Sequence, residues 1–371
     1  MLAATLTRYV ARRFLGATFA MLAGLTLLIG LFDFIELLRR AATRPEANFA
    51  LVASIAGLRV PFVALQILPF AILLGGILAF WRLTRSSELV VARAAGISAW
   101  GFLSGPVAVA LAFGLVGTLA ISPLSSAMLA RAERLDYAYL RNAAGITALA
   151  GGRLWLRQAD HDLDPAGVAI LSGRPETTRG PRPGFSMTDV SLWRLSGADR
   201  PLARIEAPRA VLLPGRWVLE DSVTFNADRS AGARQTLTFP TELTPGRIEN
   251  SFASPDTLSF WALPSFIEVL EEAGFSAVRH RLHFQSLLSL PVLAAAMALL
   301  AAGFSMRQSR RGGVAQMIGA GVAAGFALFV LDKITGEFGE AGTLPVGLAA
   351  WAPTMGGLLL ALALLLHLED G

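Results

Sequence analysis

The chain has 371 residues, 54% of them hydrophobic, with a mean hydropathy of +0.56 and a formal net charge of +5. That apolar share exceeds the roughly 45–50% of soluble domains and points to a membrane protein. There is no cysteine and a single lysine, Lys333, in D-K-I-T; disulfides, thiol catalysis, cysteine-ligated metals and a P-loop, which needs G-x-x-x-x-G-K-[ST], are therefore excluded.

A membrane span takes about 20 apolar residues. Three runs qualify in the first part of the chain, about 14–37, 60–81 and 102–123, and three in the last, 283–305, 314–336 and 346–367. The first run is too long for a signal peptide and leads into Asp33 and Glu36 instead of a small-residue cleavage site. Arg8, Arg12 and Arg13 precede it, Arg82, Arg85 and Arg93 separate spans 2 and 3, and Arg307, Arg310 and Arg311 separate spans 4 and 5. Basic residues accumulate in short cytoplasmic loops, so these nine predict cytoplasmic termini and an insert on the outer side, which in a Gram-negative cell is the periplasm. Two clusters break the rule, Arg39, Arg40 and Arg44 after span 1 and Arg279 and Arg281 before span 4.

The end of span 1 reads F-D-F-I-E-L-L-R-R-A (32–41), which sets Asp33, Glu36 and Arg40 near one helical face. Charge inside a membrane faces a cavity or a partner, whereas charge at a helix end snorkels to water. Both readings stay open for Arg39 and Arg40, and Asp33 and Glu36, lying deeper, favour the cavity. Arg59 opens span 2. The loop after span 2, R-L-T-R-S-S-E-L-V-V-A-R-A-A-G-I-S (82–98), predicts a short cytoplasmic helix with Ser87 as its cap and Glu88 in its first turn, either a docking element or an ordinary interfacial helix.

The insert, residues 136–254, alternates apolar and polar residues at 153–157, 190–195 and 216–223, with further strand-like runs at 167–172 and 203–213 and Pro/Gly turns between them. This predicts a β-sandwich, jelly roll or partial barrel. Its charges nearly balance, which argues against a nucleic-acid face. Residues 255–274 predict an amphipathic interfacial helix, kinked or split at Pro264 and stopped at Gly274, with Leu258, Trp261, Phe266, Val269 and Leu270 on the apolar face. Arg279, His280 and Arg281 stand at the mouth of span 4. His280 and His283 lack a third ligand, and no nucleophile elbow or zincin motif occurs, so no catalytic residue, metal or cofactor is assigned. Gly321-x-x-x-Gly325 in span 5 permits close helix contact, within the chain or with a partner.

The motif S-E-L-V-V-x-x-A-x-G-I-S, preceded by L-P-F-A-I-L-L-G (68–75) and followed by S-P-D-T-L-S (254–259) and V-L-D-K-I-x-G (330–336), resembles the lipopolysaccharide export permeases of the YjgP/YjgQ (LptF/LptG) family, most closely the G-type. The resemblance covers the whole chain. It implies an α-helical membrane protein with six transmembrane helices and a periplasmic β-jelly-roll-like domain between helices 3 and 4. The three parts are residues 1–135, with a coupling helix near 86–96, then 136–254, then 255–371. It further implies a non-catalytic subunit of an ATP-binding-cassette transporter, paired with an F-type permease paralogue, a dimeric cytoplasmic ATPase and periplasmic bridge proteins, and acting on lipopolysaccharide among membrane lipids. Ser87, Glu88 and Leu89 would meet the ATPase. Asp33, Glu36, Arg39, Arg40, Arg59, Arg279 and Arg281 would surround the substrate headgroup, although some relatives carry a basic residue where this chain has Asp33. The alternatives are a secondary transporter, which needs paired ionisable residues at mid-membrane, and a membrane-bound lipid-modifying enzyme.

Overall fold

The computed structural model describes residues 2–42, 44, 47–86, 88, 99–140, 147–150, 153–160, 164, 167–177, 185–196, 200–226, 230–241, 243–244, 248, 254–272, 275–305 and 314–369. Its helices are α1 (Leu2–Ala41), α2 (Phe49–Arg85), α3 (Ala99–Val116), a π-helical turn (Gly117–Ile121), α4 (Ser122–Tyr139), α5 (Leu263–Glu272), α6 (Val278–Ser305), α7 (Val314–Glu340) and α8 (Val346–Glu369). Two compact units divide the chain: Met1–Leu140 with Pro255–Leu263 and Val278–Gly371, and Arg141–Ser254 with Pro264–Ala277.

Among the described residues of the helical unit, six stretches are long and apolar enough to cross a membrane: Thr5–Ala41, Phe49–Arg85, Trp100–Tyr139, Val278–Ser305, Ile318–Glu340 and Val346–His367. They coincide with the six apolar runs of the sequence, and contain all of them except the start of the fifth, 314–336, where the stretch begins at Ile318. Along α1, Val10, Phe14, Thr18 and Leu37 are buried on one stripe, while Phe19, Leu27, Leu31, Phe32 and Ile35 point outward. This is the helical period at work, with an apolar outer face suited to lipid or a partner. Helix α6 is the centre of the unit, with Ala294 to Ala302 buried almost without interruption. Glycines allow the closest approaches. A Cβ on Gly75 would lie 2.5 Å from Thr18 Cα, and one on Gly76 would lie 2.6 Å from Ala301 Cβ, so α2 lies directly against α1 and α6. Gly321 and Gly325 face Ile77 and Leu73 of α2, so the small-residue stripe of α7 serves packing within the chain.

Prolines inside these helices remove backbone donors, and the freed carbonyls find other partners. Pro291 leaves Leu287 O without its i+4 donor, and the buried Thr118 Oγ1 donates to it at 2.8 Å. Thr118 lies in the π-helical turn of span 3, beside Gly114, whose Cβ would clash with Pro291 at 2.4 Å. Pro123 likewise strips Leu119 O of its i+4 donor, and the Trp261 indole donates there at 3.3 Å. Phe260 N donates to Ser122 Oγ, and the Phe260 ring stacks on Phe284. The segment 255–263 is thus fastened to the π-helical turn. This part departs from the expected helix over 255–274: after a 3-10 turn at Pro255–Thr257, the α-helix starts only at Leu263, with Pro264 in its first turn, where a missing N–H costs nothing. Leu263, Ile267 and Leu270 are its buried side chains, while Trp261 and Val269 are exposed.

The second unit is a seven-stranded antiparallel sheet in the order β1-β2-β3-β4-β5-β6-β7, with β1 Thr147–Ala150, β2 Arg153–Ala159, β3 Val168–Thr177, β4 Phe185–Leu195, β5 Pro201–Leu213, β6 Arg216–Asn226 and β7 Gln235–Pro240. One face supplies a core of Leu154, Leu156, Leu171, Leu192, Ala210, Trp217 and Leu219. The sheet rolls towards a jelly-roll-like form: Gln158 of β2 donates to Pro240 O at 2.9 Å and accepts from Thr241 Oγ1 at 2.7 Å, beyond β7. Arg194 of β4 lies 5.4 Å from the Phe239 ring of β7 and grips Asp160 with two bonds, at 2.5 and 2.6 Å. Bulges bend β4 and β6 where Asp189 and Asp221 take φ of 54° and 51°. Asp is among the side chains that tolerate this region, and each carboxylate is held by an arginine, Arg153 or Arg234.

Candidate functional site

The ends of the helical unit carry different charges. Arg8, Arg12 and Arg13 begin α1 and Arg82 and Arg85 end α2. Thr7 Oγ1 donates to Gly101 O at 3.1 Å, and Thr84 Oγ1 lies 3.3 Å from Ser305 O, so the starts of α1 and α3 and the ends of α2 and α6 share this basic end. The opposite end holds the end of α1, the starts of α2 and α6, and α4. Between Arg13 and Asp33 run 19 uncharged residues, which at about 1.5 Å each match a hydrocarbon layer of about 30 Å. Asp33 therefore stands at the edge of that layer.

Three helices meet there through ions. Arg59 of α2 reaches Asp33 of α1 through Nη1 at 3.1 Å and Asp136 of α4 through Nη2 at 3.3 Å. Asp136 is 2% exposed, Arg59 18% and Asp33 28%. The Arg59 Nε is buried without an acceptor. One turn further along α1, Glu36 accepts from Arg39 at 2.8 and 2.9 Å and from Arg40 at 3.0 Å, all three at the surface. Beyond them Leu37, Ala41, Val52, Ile55, Ala132 and Leu140 close an apolar cluster of α1, α2 and α4. The polar contacts are thus framed by packing on both sides.

The pairs seen sort the expected headgroup residues into three groups: Asp33 with Arg59, Glu36 with Arg39 and Arg40, and Arg279 with Glu340 of α7 at 3.7 Å. Arg281 is exposed on α6. His283 faces Asp256 at 3.4 Å, and Lys333 lies over the Phe329 ring at 5.6 Å. Asp136 was not among the residues singled out from sequence. It belongs to a helix that outruns the apolar part of span 3 by a full α4, and its signal is an acid in register with the buried Leu129 and Ala132. Of the proposed docking residues, Ser87 and Leu89 lie outside the described residues. Glu88 is half-buried, and its Oε1 accepts from Ser86 Oγ at 2.8 Å, just past the end of α2.

Comparison with known proteins adds the family. The family described as "Lipopolysaccharide export system permease LptF/LptG" matches residues 8–367. The LptG lipopolysaccharide export system permease protein of Escherichia coli (strain K12) is 25% identical over 377 residues, covering 98% of both chains. That of Haemophilus influenzae (strain ATCC 51907 / DSM 11121 / KW20 / Rd) is 24% identical over 356 residues, covering 95% of both. With six membrane-crossing helices and an inserted antiparallel sheet, this multi-pass membrane protein belongs to the LptF/LptG family of lipopolysaccharide export system permeases.

Proposed function

We propose that the chain is the G-type permease subunit of an ATP-driven transporter that extracts lipopolysaccharide from the inner membrane and passes it to a periplasmic bridge leading to the outer membrane. The family match over residues 8–367 carries this reading. With no P-loop in the sequence, ATP hydrolysis falls to another subunit, and the family resemblance supplies one, a dimeric cytoplasmic ATPase. The outward apolar faces of α1 and α7 are suited to an F-type paralogue and to the acyl chains between the two permeases. The basic end is the cytoplasmic one by the positive-inside rule, which sets the β-domain in the periplasm. The ions at the far end of α1, with Arg279 and Arg281, then border the headgroup, where guanidinium groups engage phosphate.

Ser87, Glu88 and Leu89 are the residues of the coupling segment that meet the ATPase. Purification in mild detergent is expected to bring along the ATPase and a second permease. Glu88→Ala is expected to lower ATPase association about thirty-fold, from the roughly 2 kcal/mol lower bound for truncating one partner of a buried charge pair. Full association and full export in that variant would remove Glu88 from the coupling site. Purification without any ATPase would remove the transporter reading.

A further inference from the structure

We propose that Asp33 holds, on Arg59, the place that a phosphate of the lipid headgroup takes during export, so that the Asp33–Arg59–Asp136 triad is a latch on α1 which the substrate opens. The inference rests on the lipid-export reading above and assigns one position within its site.

The triad is built for exchange. Charge-assisted N–H···O bonds are typically about 2.7–2.9 Å, and guanidinium pairs with carboxylate in two-point contacts. Arg194 and Asp160 in the β-unit show that form, at 2.5 and 2.6 Å. Arg59 instead makes one-point contacts at 3.1 and 3.3 Å and keeps a buried Nε without an acceptor. A guanidinium so under-supplied favours an anion with more oxygens, and a phosphate offers three that can accept.

The two carboxylates are not equivalent. Asp136 is buried on α4, beside the apolar cluster, and stays with Arg59. Asp33 is the more exposed partner, and it belongs to the span with the smallest buried share, 17% of its apolar window. It stands at the edge of the hydrocarbon layer, the depth at which a lipid phosphate sits. An anion arriving there meets Asp33 as its competitor for Nη1. Once displaced, Asp33 leaves α1 with one fewer tie to α2, and like charge drives it from the newcomer.

The chain has no cysteine, so introduced thiols label only where placed. Ile35→Cys and Tyr137→Cys put spin labels on exposed positions of α1 and α4. The distance between them is measured in the assembled transporter, with cysteine-free partners, in lipid nanodiscs. The probes are lipopolysaccharide, the same lipid stripped of its lipid A phosphates, and inorganic phosphate. Lipopolysaccharide is expected to shift the distribution to longer values, and the other two to leave it unchanged. Asp33→Asn is expected to give the longer distribution with no lipid added.

An unchanged distance in Asp33→Asn overturns the latch. Lengthening by inorganic phosphate alone makes this a free-anion site and overturns the lipid assignment. Bound lipopolysaccharide with an unchanged distance overturns the proposal but leaves the export reading intact. If lipopolysaccharide does not bind at all, the export reading fails, and the Asp33→Asn arm still decides the latch.

Discussion

At the level of Gly75 and Gly76, α2 meets the backbone of α1 at Thr18 and the Ala301 Cβ of α6, with no room for a Cβ. At the level of Arg59, the same helix meets α1 and α4 through one-point ion pairs. The first junction has a single arrangement, because close packing offers no alternative partner. The second has exchangeable partners, because a lipid phosphate held at that depth competes with a carboxylate for the guanidinium. A helix held in both ways is pinned at one level and releasable at the other. The partner helices differ in burial as well: 72% of the apolar window of Val278–Ser305 is buried, against 17% for Thr5–Ala41.

The strongest way to break the comparison is at the pinned junction. Gly75→Leu must push Thr18 backbone atoms away, and no rotamer relieves that. The cost is expected to exceed the roughly 1–3 kcal/mol of ordinary overpacking, seen as loss of folded chain or a large fall in Tm in detergent. Gly24→Leu, at a site with nothing within 4 Å, is the control and is expected to keep its Tm.

Asp136→Asn should come next. Breaking a buried pair costs about 3–5 kcal/mol, and the remaining Asp33 contact reduces this to about 2–3 kcal/mol. A Tm equal to that of the parent would show that the triad contributes nothing to the fold. Thr118→Val tests the middle of span 3, where it strands the carbonyl freed by Pro291. Hydrogen bonds inside membrane bundles are worth little, so about 1 kcal/mol is expected, and less destabilisation in Pro291→Ala/Thr118→Val than in Thr118→Val alone.

The smallest effect belongs to Glu36→Gln. Its pairs with Arg39 and Arg40 are at the surface, so stability should not change measurably. Photo-crosslinking from position 39 to lipopolysaccharide should still rise, because the remaining guanidinium there, that of Arg40, loses its internal anion. Crosslinking below the parent level would make Glu36 a positioning group for the headgroup and not a competitor.

The spans were legible because lipid demands unbroken apolar runs, and the rolled sheet because alternation and turn residues mark its strands. Other features were hidden for physical reasons. Helix α4 carries Arg131, Glu133, Arg134 and Asp136 and so looks like a loop by composition, although it continues span 3 to Tyr139. The first half of β4 is masked by Asp189, whose left-handed bulge breaks the alternation. Strand β7 is an edge with few apolar residues. At the candidate site, the α1 acids and arginines stood out as neighbours in sequence. Arg59 stands out in the sequence only as the basic residue that opens span 2, with the headgroup role that the resemblance implies and no partner. Its true partners are 26 and 77 residues away, and only the fold brings them together.

In the proposed function, this chain moves lipopolysaccharide at the expense of ATP hydrolysed elsewhere. The most direct test places the complete transporter in proteoliposomes loaded with lipopolysaccharide and follows release of the lipid to a soluble periplasmic bridge protein. The account predicts release that needs ATP, this chain and its ATPase together, and that leaves the lipid chemically unchanged. Release driven by an ion gradient without ATP, or a covalent change in the lipid made by this chain alone, would contradict it.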